Sequence, residues 1–224
     1  MTRRQKPNLK TAMLQEHAAL FGKAESGIEY ESLYGVTDGK AVGTHLEHKF
    51  LSYLEERFAF KRGSSAKGID IPELGIDIKV TSIRQPQSSC PYTSARQKIF
   101  GLGYSLLVFV YEKKDNARRK TATLKILHVL YVDRERTGDF QMTSGIRSIL
   151  QNAGNKDDLI AFMQDKNLPV EEIEAGKIAD ELMSKPPALG YLTLSIALQW
   201  RLYYGRVIEK AGTVDGILRL CQET

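Results

Sequence analysis

The segment that decides the fold class of this chain is Gly68–Ser82, with the sequence GIDIPELGIDIKVTS. Short β-branched runs lie on both sides of Pro72 and Gly75, and these residue types favour turns. A four-residue connection of this composition suits a β-hairpin. The segment therefore predicts two antiparallel strands joined by a turn, in which Asp70 lies directly opposite Asp77.

Alternation along these strands separates charged from apolar side chains. Successive side chains of a strand point to opposite faces, so Asp70, Asp77 and Lys79 are predicted on one face. The opposite face is predicted to point into the core and carries Ile69, Ile71, Ile76, Ile78 and Val80. The same pattern also fits a hairpin that exposes a charged face to solvent and has no further role.

Two carboxylates that face each other require a compensating cation, because like charges at this spacing destabilise a sheet by about 0.2–1 kcal/mol. Mg²⁺ prefers carboxylate and carbonyl oxygens and keeps several waters. Asp70, Asp77 and the carbonyl oxygen of Ile78 are therefore the candidate metal ligands, with coordination positions left for a phosphate and a water. Lys79 is predicted to point at the same phosphate, where its ammonium can stabilise developing charge and help to orient or deprotonate the water.

The sequence before this segment predicts two helices. Apolar residues at helical spacing predict the first over Leu9–Lys23, and the polar stretch that follows, up to Gly43, is predicted as a loop. Thr44 and Glu47 match the T-x-x-E pattern of a capping box, which predicts that the second helix begins at Thr44.

The sequence after this segment predicts strands and then more helices. Strands are predicted at Ser105–Glu112 and Thr121–Val132, on either side of a charged turn. Helices are predicted at Ser94–Phe100, Thr143–Gln151, Lys156–Lys166, Val170–Ser184 and Thr193–Ala211. In the last of these, the spacing of Trp200, Tyr203 and Tyr204 suits one buried face.

These elements indicate an α/β protein without internal repeats or linkers. We expect a single domain over 1–224, with a core at about 44–132 and a helical C-terminal part at about 137–224 packed on it. A helical addition is also expected at the N-terminus.

The composition favours a polyanionic partner and a reducing compartment. Lys and Arg number 32 against 27 Asp and Glu, for a net charge of +5. Cys90 and Cys221 lie far apart, so neither a disulfide framework nor a cysteine zinc site is indicated. The most apolar run, Leu106–Tyr111, is too short to cross a bilayer. We expect no membrane association and a cytoplasmic location.

Asp70, followed after six residues by Asp77-Ile78-Lys79, resembles the signature of the PD-(D/E)xK nuclease superfamily. Ile69 stands where the motif name has proline. The Q-x-x-x-Y helix of the exonuclease branch is absent, since Gln97 is followed at that spacing by Gly101. The segment Ser94–Tyr104 is similar to restriction enzymes, so the resemblance favours a type II restriction endonuclease.

This resemblance implies a restriction-endonuclease-like core, in which a central mixed β-sheet is flanked by helices. It implies Mg²⁺-dependent, sequence-specific cleavage of double-stranded DNA, with Asp70 and Asp77 as metal ligands and Lys79 as the catalytic lysine. A glutamate on the preceding helix often faces the metal site in this superfamily, which makes Glu47 a candidate catalytic residue and Glu55 an alternative. Cutting a palindromic site favours a two-fold homodimer.

Two alternative functions remain at this point. One is a repair or recombination nuclease of the same superfamily, and the other is a non-catalytic DNA-binding protein. Binding alone needs no paired carboxylates beside a polyanion, so the complete set of Asp70, Asp77 and Lys79 favours an enzyme. His45 and His48 are only two histidines, without a third partner, and predict no zinc site.

Candidate DNA contacts surround the predicted site. The polar segment after the second strand carries donors suited to phosphates and base edges, and these candidates are Thr81, Ser82, Arg84, Gln85 and Gln87. Further basic residues are candidates for phosphate contacts: Arg62, Lys67, Arg96 and Lys98. The basic cluster in Lys113–Lys120 is predicted as a solvated turn.

Overall fold

A mixed β-sheet with helices on its faces forms the centre of the fold. The computed structural model describes residues 6–63, 68–89, 94–195 and 201–222. Its helices are α1 (Thr11–Glu25), α2 (Gly39–Arg57), α3 (Gln97–Phe100), α4 (Phe140–Gln151), α5 (Lys156–Asp165), α6 (Glu172–Ser184) and α7 (Gly205–Lys210). Its strands are β1 (Glu29–Tyr30), β2 (Ile76–Ser82), β3 (Gln87–Ser89), β4 (Ser105–Asn116), β5 (Thr121–Val132), β6 (Thr193–Ser195), β7 (Arg201–Tyr203) and β8 (Ile217–Gln222). None of the helices in these ranges is long and apolar enough to span a membrane.

The central sheet has the order β1-β5-β4-β2, with β8 also paired to β5. β2 and β4 are parallel, whereas β4 and β5 form a long antiparallel hairpin. The α/β class with a mixed central sheet flanked by helices is therefore confirmed.

Helices α1 and α2 pack on one face of this sheet and form the first core. Leu14 and Phe21 of α1 and Phe50 of α2 meet Phe109 of β4 there. α1 lies close to β5, because a Cβ atom added to Gly22 would come within 2.7 Å of Val129 Cγ2. Burial of these large apolar side chains supplies the driving force that holds the two helices on the sheet.

A small antiparallel sheet, in the order β3-β7-β6, covers the other face and forms the second core. Leu194 of β6 and Leu202 of β7 are buried in that core, together with Val108 and Val110 of β4. The helices α4, α5 and α6 form a third core, into which α3 inserts Ile99.

Several predicted elements are confirmed, and others are wrong. The predicted strand Thr121–Val132 matches β5, and the predicted helices at 9–23, 143–151, 156–166 and 170–184 match α1, α4, α5 and α6 closely. The predicted helix Thr193–Ala211 is wrong, because its first part is the strand β6 and its later part is β7 followed by α7. The C-terminal part is thus not wholly helical, and it also supplies β8 to the central sheet. Trp200 lies outside the described residues, while Tyr204 is buried and Tyr203 is exposed.

The predicted start of the second helix is also wrong. α2 begins at Gly39, and Asp38 is the N-cap residue, whose carboxylate accepts a hydrogen bond from Lys40 N. Thr44 therefore lies inside the helix, and Glu47 has no capping role. Burial of Val42 in the first core stabilises this additional turn, which offsets the low helix propensity of its glycines.

Candidate active site

A tight turn places Asp70 opposite Asp77, as the sequence predicts. Ile71 and Ile76 exchange backbone hydrogen bonds of 3.0 and 3.2 Å across this turn. The arm before the turn is only an isolated bridge rather than a full strand, so the predicted strand pair is wrong in its first half. β2 instead pairs along its length with β4, because the apolar β4 offers a long buried partner.

The side chains of β2 divide between the two cores. Ile76 and Ile78 are buried in the first core. Asp77 and Lys79 pair in register with Leu106 and Val108, which belong to the second core, and therefore point to the opposite face. Ile69 is an exception to the predicted apolar face, since it packs on the second core.

Backbone contacts hold Asp70 at the free edge of β2. Its Oδ2 accepts a hydrogen bond from Ile78 N at 2.7 Å, and its carbonyl oxygen accepts one from Gly63 N at 2.8 Å. Backbone groups of alternate residues in a strand point to the same edge. The carbonyl oxygen of Ile78 therefore points to the edge at which Asp70 lies.

Asp77 is the most deeply buried of the charged residues here. Its Oδ2 forms an ion pair with Lys79 Nζ at 2.6 Å, and this buried oxygen has no hydrogen bond among the described residues. Burial raises the pKa of Asp77 to about 7, with the nearby Asp70 adding to the increase and Lys79 opposing it. A carboxylate in these surroundings needs a further cation to be fully stabilised in its charged form.

Glu47 of α2 lies within electrostatic range of the same group. Burial raises the pKa of Glu47, Asp70 raises it further, and Lys79 and His48 oppose the increase. One turn earlier, α2 passes close to β2, since a Cβ atom added to Gly43 would lie 3.7 Å from Val80 O. Glu55 instead pairs with Arg62 at 2.5 Å. Of the two candidate glutamates, Glu47 is therefore the one near Asp70 and Lys79, and Glu55 is the one engaged in an ion pair.

The donor set fits a hard divalent ion with few protein ligands. Among the described residues, no group of three or more His, Cys, Asp or Glu side chains is arranged to hold a metal ion. Asp70 and Asp77 with one carbonyl oxygen match Mg²⁺, which retains several waters, better than an ion that needs a closed set of side chains. Asp77 Oδ2 is a buried oxygen with an ion-pair partner but no hydrogen bond among the described residues, and such an ion would add a second positive charge beside it.

The predicted DNA contacts fall into three groups. Arg84 and Gln85 are exposed in the turn after β2, and Ser82 and Gln87 are partly exposed beside it. Arg62 and Arg96 are engaged in ion pairs, Arg62 with Glu55 and Arg96 with Glu174 and Glu181 of α6. Thr81 and Lys98 are only 3% and 8% exposed, so their predicted roles as surface contacts are not supported. Lys67 lies outside the described residues.

Sequence reasoning missed the small sheet that lies beside this group. Its outer strands β3 and β6 and its central strand β7 have three residues each, which is too short for a clear period of two. The available signal was the alternation of buried Leu194 and Leu202 with polar neighbours on each side.

Comparison with known proteins assigns the chain to a family. The family model described as "Type II restriction enzyme NspV" matches residues 8–219. A curated protein from Nostoc sp. (strain ATCC 29411 / PCC 7524), named "Type II restriction enzyme NspV", is 67% identical over 205 residues, which cover 92% of this chain and 93% of that protein. No solved structure matches. The carboxylates and lysine at the edge of β2 therefore lie in a chain that belongs to the NspV family of type II restriction enzymes.

Proposed function

We propose that this site-specific deoxyribonuclease hydrolyses DNA by the PD-(D/E)xK mechanism, at a Mg²⁺ site formed by Asp70, Asp77 and the carbonyl oxygen of Ile78. The observation that carries the proposal is the buried Asp77 Oδ2, which lies against Lys79 and has no hydrogen bond among the described residues. Burying a carboxylate beside another is costly unless a cation or donor compensates. Lys79 supplies part of this compensation, and a bound divalent cation would supply the rest.

The proposed ligands supply two negative charges and one neutral oxygen. When bound there, Mg²⁺ supplies Lewis-acid polarisation of the phosphate and lowers the pKa of an attacking water. Asp70 is oriented for this role by the hydrogen bond that its Oδ2 accepts from Ile78 N at 2.7 Å.

Lys79 acts on the scissile phosphate in this mechanism. Its ammonium is anchored by Asp77 at 2.6 Å and is mostly buried, so its charge is weakly screened by solvent. In the pentavalent transition state negative charge builds on the phosphoryl oxygens, and a fixed ammonium stabilises that charge more than the ground state. Lys79 also holds the attacking water in line with the phosphorus by hydrogen bonding.

Glu47 takes the third position around the reacting groups. Burial and the neighbouring Asp70 raise the pKa of Glu47, which makes it a stronger proton acceptor than an exposed glutamate. We assign Glu47 the role of accepting a proton from the attacking water, or of orienting that water through a second water.

Recognition of double-stranded DNA is proposed to involve the turn after β2 and a second copy of the chain. Arg84 and Gln85 are exposed there and can pair with purine edges. Ser82 and Gln87 flank the turn, and Arg62, Lys67 and Arg96 are proposed as phosphate contacts. A homodimer with two-fold symmetry matches cutting of both strands of a palindromic sequence.

The test of the site uses three substitutions and one control. Asp70→Asn, Asp77→Asn and Lys79→Ala are expected to reduce cleavage of plasmid DNA in Mg²⁺ by at least about 10²–10³-fold, because each removes a ligand or a transition-state charge. Glu73→Gln changes an exposed carboxylate in the turn between them and should cut at the wild-type rate. Near-normal cutting by any of the three variants would refute the assignment.

Exchange of the metal tests the same site without mutation. Ca²⁺ accepts the same oxygen ligands but is larger and looser in geometry. We expect it to support specific DNA binding without turnover, measured by fluorescence anisotropy and by gel assay of the same samples. Efficient cleavage in Ca²⁺ with Mg²⁺ excluded would count against the mechanism.

A further inference from the structure

The small sheet beside the catalytic strand has one face in the second core and one face outside it. Ser88, Leu202 and Leu194 form one row across the three strands. Leu202 and Leu194 of this row are buried, and Ser88 Oγ lies 2.6 Å from the hydroxyl of the buried Tyr204. Side chains alternate along a strand, so the neighbouring residues point outward.

The outward face carries polar side chains in register. Gln87, Tyr203 and Thr193 pair across the sheet and form one outer row. Tyr203 lies at the centre of the row and is 37% exposed, although it is a large aromatic residue. Thr193 is exposed and Gln87 is partly exposed. Ser89, Arg201 and Ser195 form the next outer row in the same way.

This sheet is attached directly to the catalytic strand. Thr81 lies two residues after Lys79 on the same face of β2, and its buried hydroxyl accepts a hydrogen bond from Gln87 N at 2.9 Å. The same hydroxyl contacts Gln87 O at 3.0 Å, and Tyr204 N donates to Pro86 O at 2.9 Å. The position of the outer row is therefore fixed relative to Lys79 by hydrogen bonds of buried groups.

The dimensions of this row suit a groove of duplex DNA. Neighbouring strands lie about 4.8 Å apart, so the three side chains span about 10 Å. The major groove is about 12 Å wide and admits a β-ribbon. Thr81 is about 6.6 Å along the strand from Lys79, which places the row within a few base pairs of a phosphate held at Lys79.

From this geometry we infer that the outer face of the β3-β7-β6 sheet reads base edges of the recognition site, and that Tyr203 and Thr193 are specificity-determining residues together with Gln87. The amide of Gln87 pairs with adenine, and the hydroxyls of Tyr203 and Thr193 donate to or accept from base edges. The expected position of the outer row relative to the cleaved phosphate rests on the proposed role of Lys79. The expected contact of this row with DNA rests only on the exposure and register of its side chains.

The experiment measures discrimination rather than activity alone. The recognition sequence is first read from the ends of digested plasmid DNA. Cleavage rates kcat/KM are then measured for the cognate duplex and for duplexes in which one base pair at a time is replaced. Tyr203→Phe and Thr193→Val remove one hydroxyl each from the outer row. The control variants Tyr34→Phe and Thr123→Val remove the same groups near β1 and β5, at the edge of the central sheet opposite to β2.

Tyr203→Phe or Thr193→Val is expected to lower the preference for the cognate duplex over one particular singly replaced duplex by about ten-fold, the loss typical of one base contact. At the other positions, the ratio of kcat/KM for the cognate duplex to that for the replaced duplex should stay within two-fold of the wild type. The two control variants should keep this ratio within two-fold of the wild type at every position. Equal loss on every duplex would indicate a structural role and would overturn the inference. Unchanged ratios for both variants would overturn it as well.

Failure of this inference is distinct from failure of the proposed catalytic site. If Asp77→Asn still cuts DNA, the catalytic assignment is wrong, whatever preference the Tyr203→Phe variant shows for the cognate duplex. Binding of the cognate and an unrelated duplex in Ca²⁺ provides a second measurement. The Tyr203→Phe and Thr193→Val variants should lose affinity for the cognate duplex alone, and equal losses on both duplexes would again refute base reading.

Discussion

Two glutamates on one helix provide a matched test at the scale of single residues. Glu47 lies near Asp70 and Lys79, whereas Glu55 is paired with Arg62. Glu47→Gln is expected to reduce kcat by about 10²-fold, a typical effect of losing a general base, with little change in the KM for DNA. Glu55→Gln should leave both constants within about two-fold. A greater loss in Glu55→Gln than in Glu47→Gln would show that the wrong glutamate has been assigned.

Crowding of carboxylates around Lys79 has a consequence for stability. Asp70→Asn removes one of three neighbouring negative charges, and asparagine can still accept the hydrogen bond from Ile78 N. Relief of like-charge repulsion is worth about 0.2–1 kcal/mol, or about 2 °C in Tm for a chain of this size. We expect the metal-free variant to melt above the metal-free wild type.

Addition of Mg²⁺ should reverse this order. Ligand binding to the native state raises the stability of the wild type, whereas Asp70→Asn has lost a proposed ligand and should gain little. Differential scanning calorimetry with EDTA and then with Mg²⁺ measures both shifts. An equal Mg²⁺-induced increase in the wild type and in the variant would contradict the ligand role of Asp70.

At the scale of the element, the start of α2 separates two candidate caps. Asp38 accepts a hydrogen bond from Lys40 N, and Thr44 is exposed inside the helix. Asp38→Ala is expected to lower the free energy of unfolding by about 1 kcal/mol, as is usual for loss of an N-cap. Thr44→Ala should change it by less than about 0.5 kcal/mol. Urea denaturation measures the free energy of unfolding of both variants. A larger loss for Thr44→Ala would show that Thr44, and not Asp38, caps the helix.

Asp139 joins the third core to the small sheet. Its buried carboxylate accepts hydrogen bonds from Met142 N at the start of α4 and from Leu194 N of β6, both at 2.8 Å. Asp139→Ala leaves two backbone donors unsatisfied, so we expect a loss of about 3 kcal/mol in the free energy of unfolding. Asp38→Ala, which removes an exposed N-cap, is the control and is expected to lower the free energy of unfolding by about 1 kcal/mol. Equal losses for the two substitutions would mean that the bond to β6 contributes nothing.

At the scale of the whole molecule, the number of chains on DNA follows from symmetry. One proposed catalytic group of Asp70, Asp77 and Lys79 lies in each chain, and two such groups related by a two-fold axis match the two strands of a palindrome. We expect two chains per cognate duplex in Ca²⁺, measured by light scattering after size-exclusion chromatography. A single chain per duplex, with both strands still cut at symmetric positions, would contradict the homodimer.

The turn between Asp70 and Asp77 could be predicted because its causes are local. Pro72 and Gly75 favour the turn, and strict alternation on β2 places Asp77 and Lys79 on one face. The strand β5 was likewise predictable, since its length and β-branched residues give a strong pattern over many positions. The candidate catalytic set therefore depends on a few neighbouring residues of the sequence.

Tertiary contacts decided what the local pattern left open. Val42 is buried against the sheet, so α2 extends back to Asp38 across glycines that disfavour a helix in isolation. The three-residue strands β6 and β7 form because β3 and the second core are present to pair with and cover them. Their partners lie far away in sequence, and strand propensity depends on such partners more than on the residues themselves.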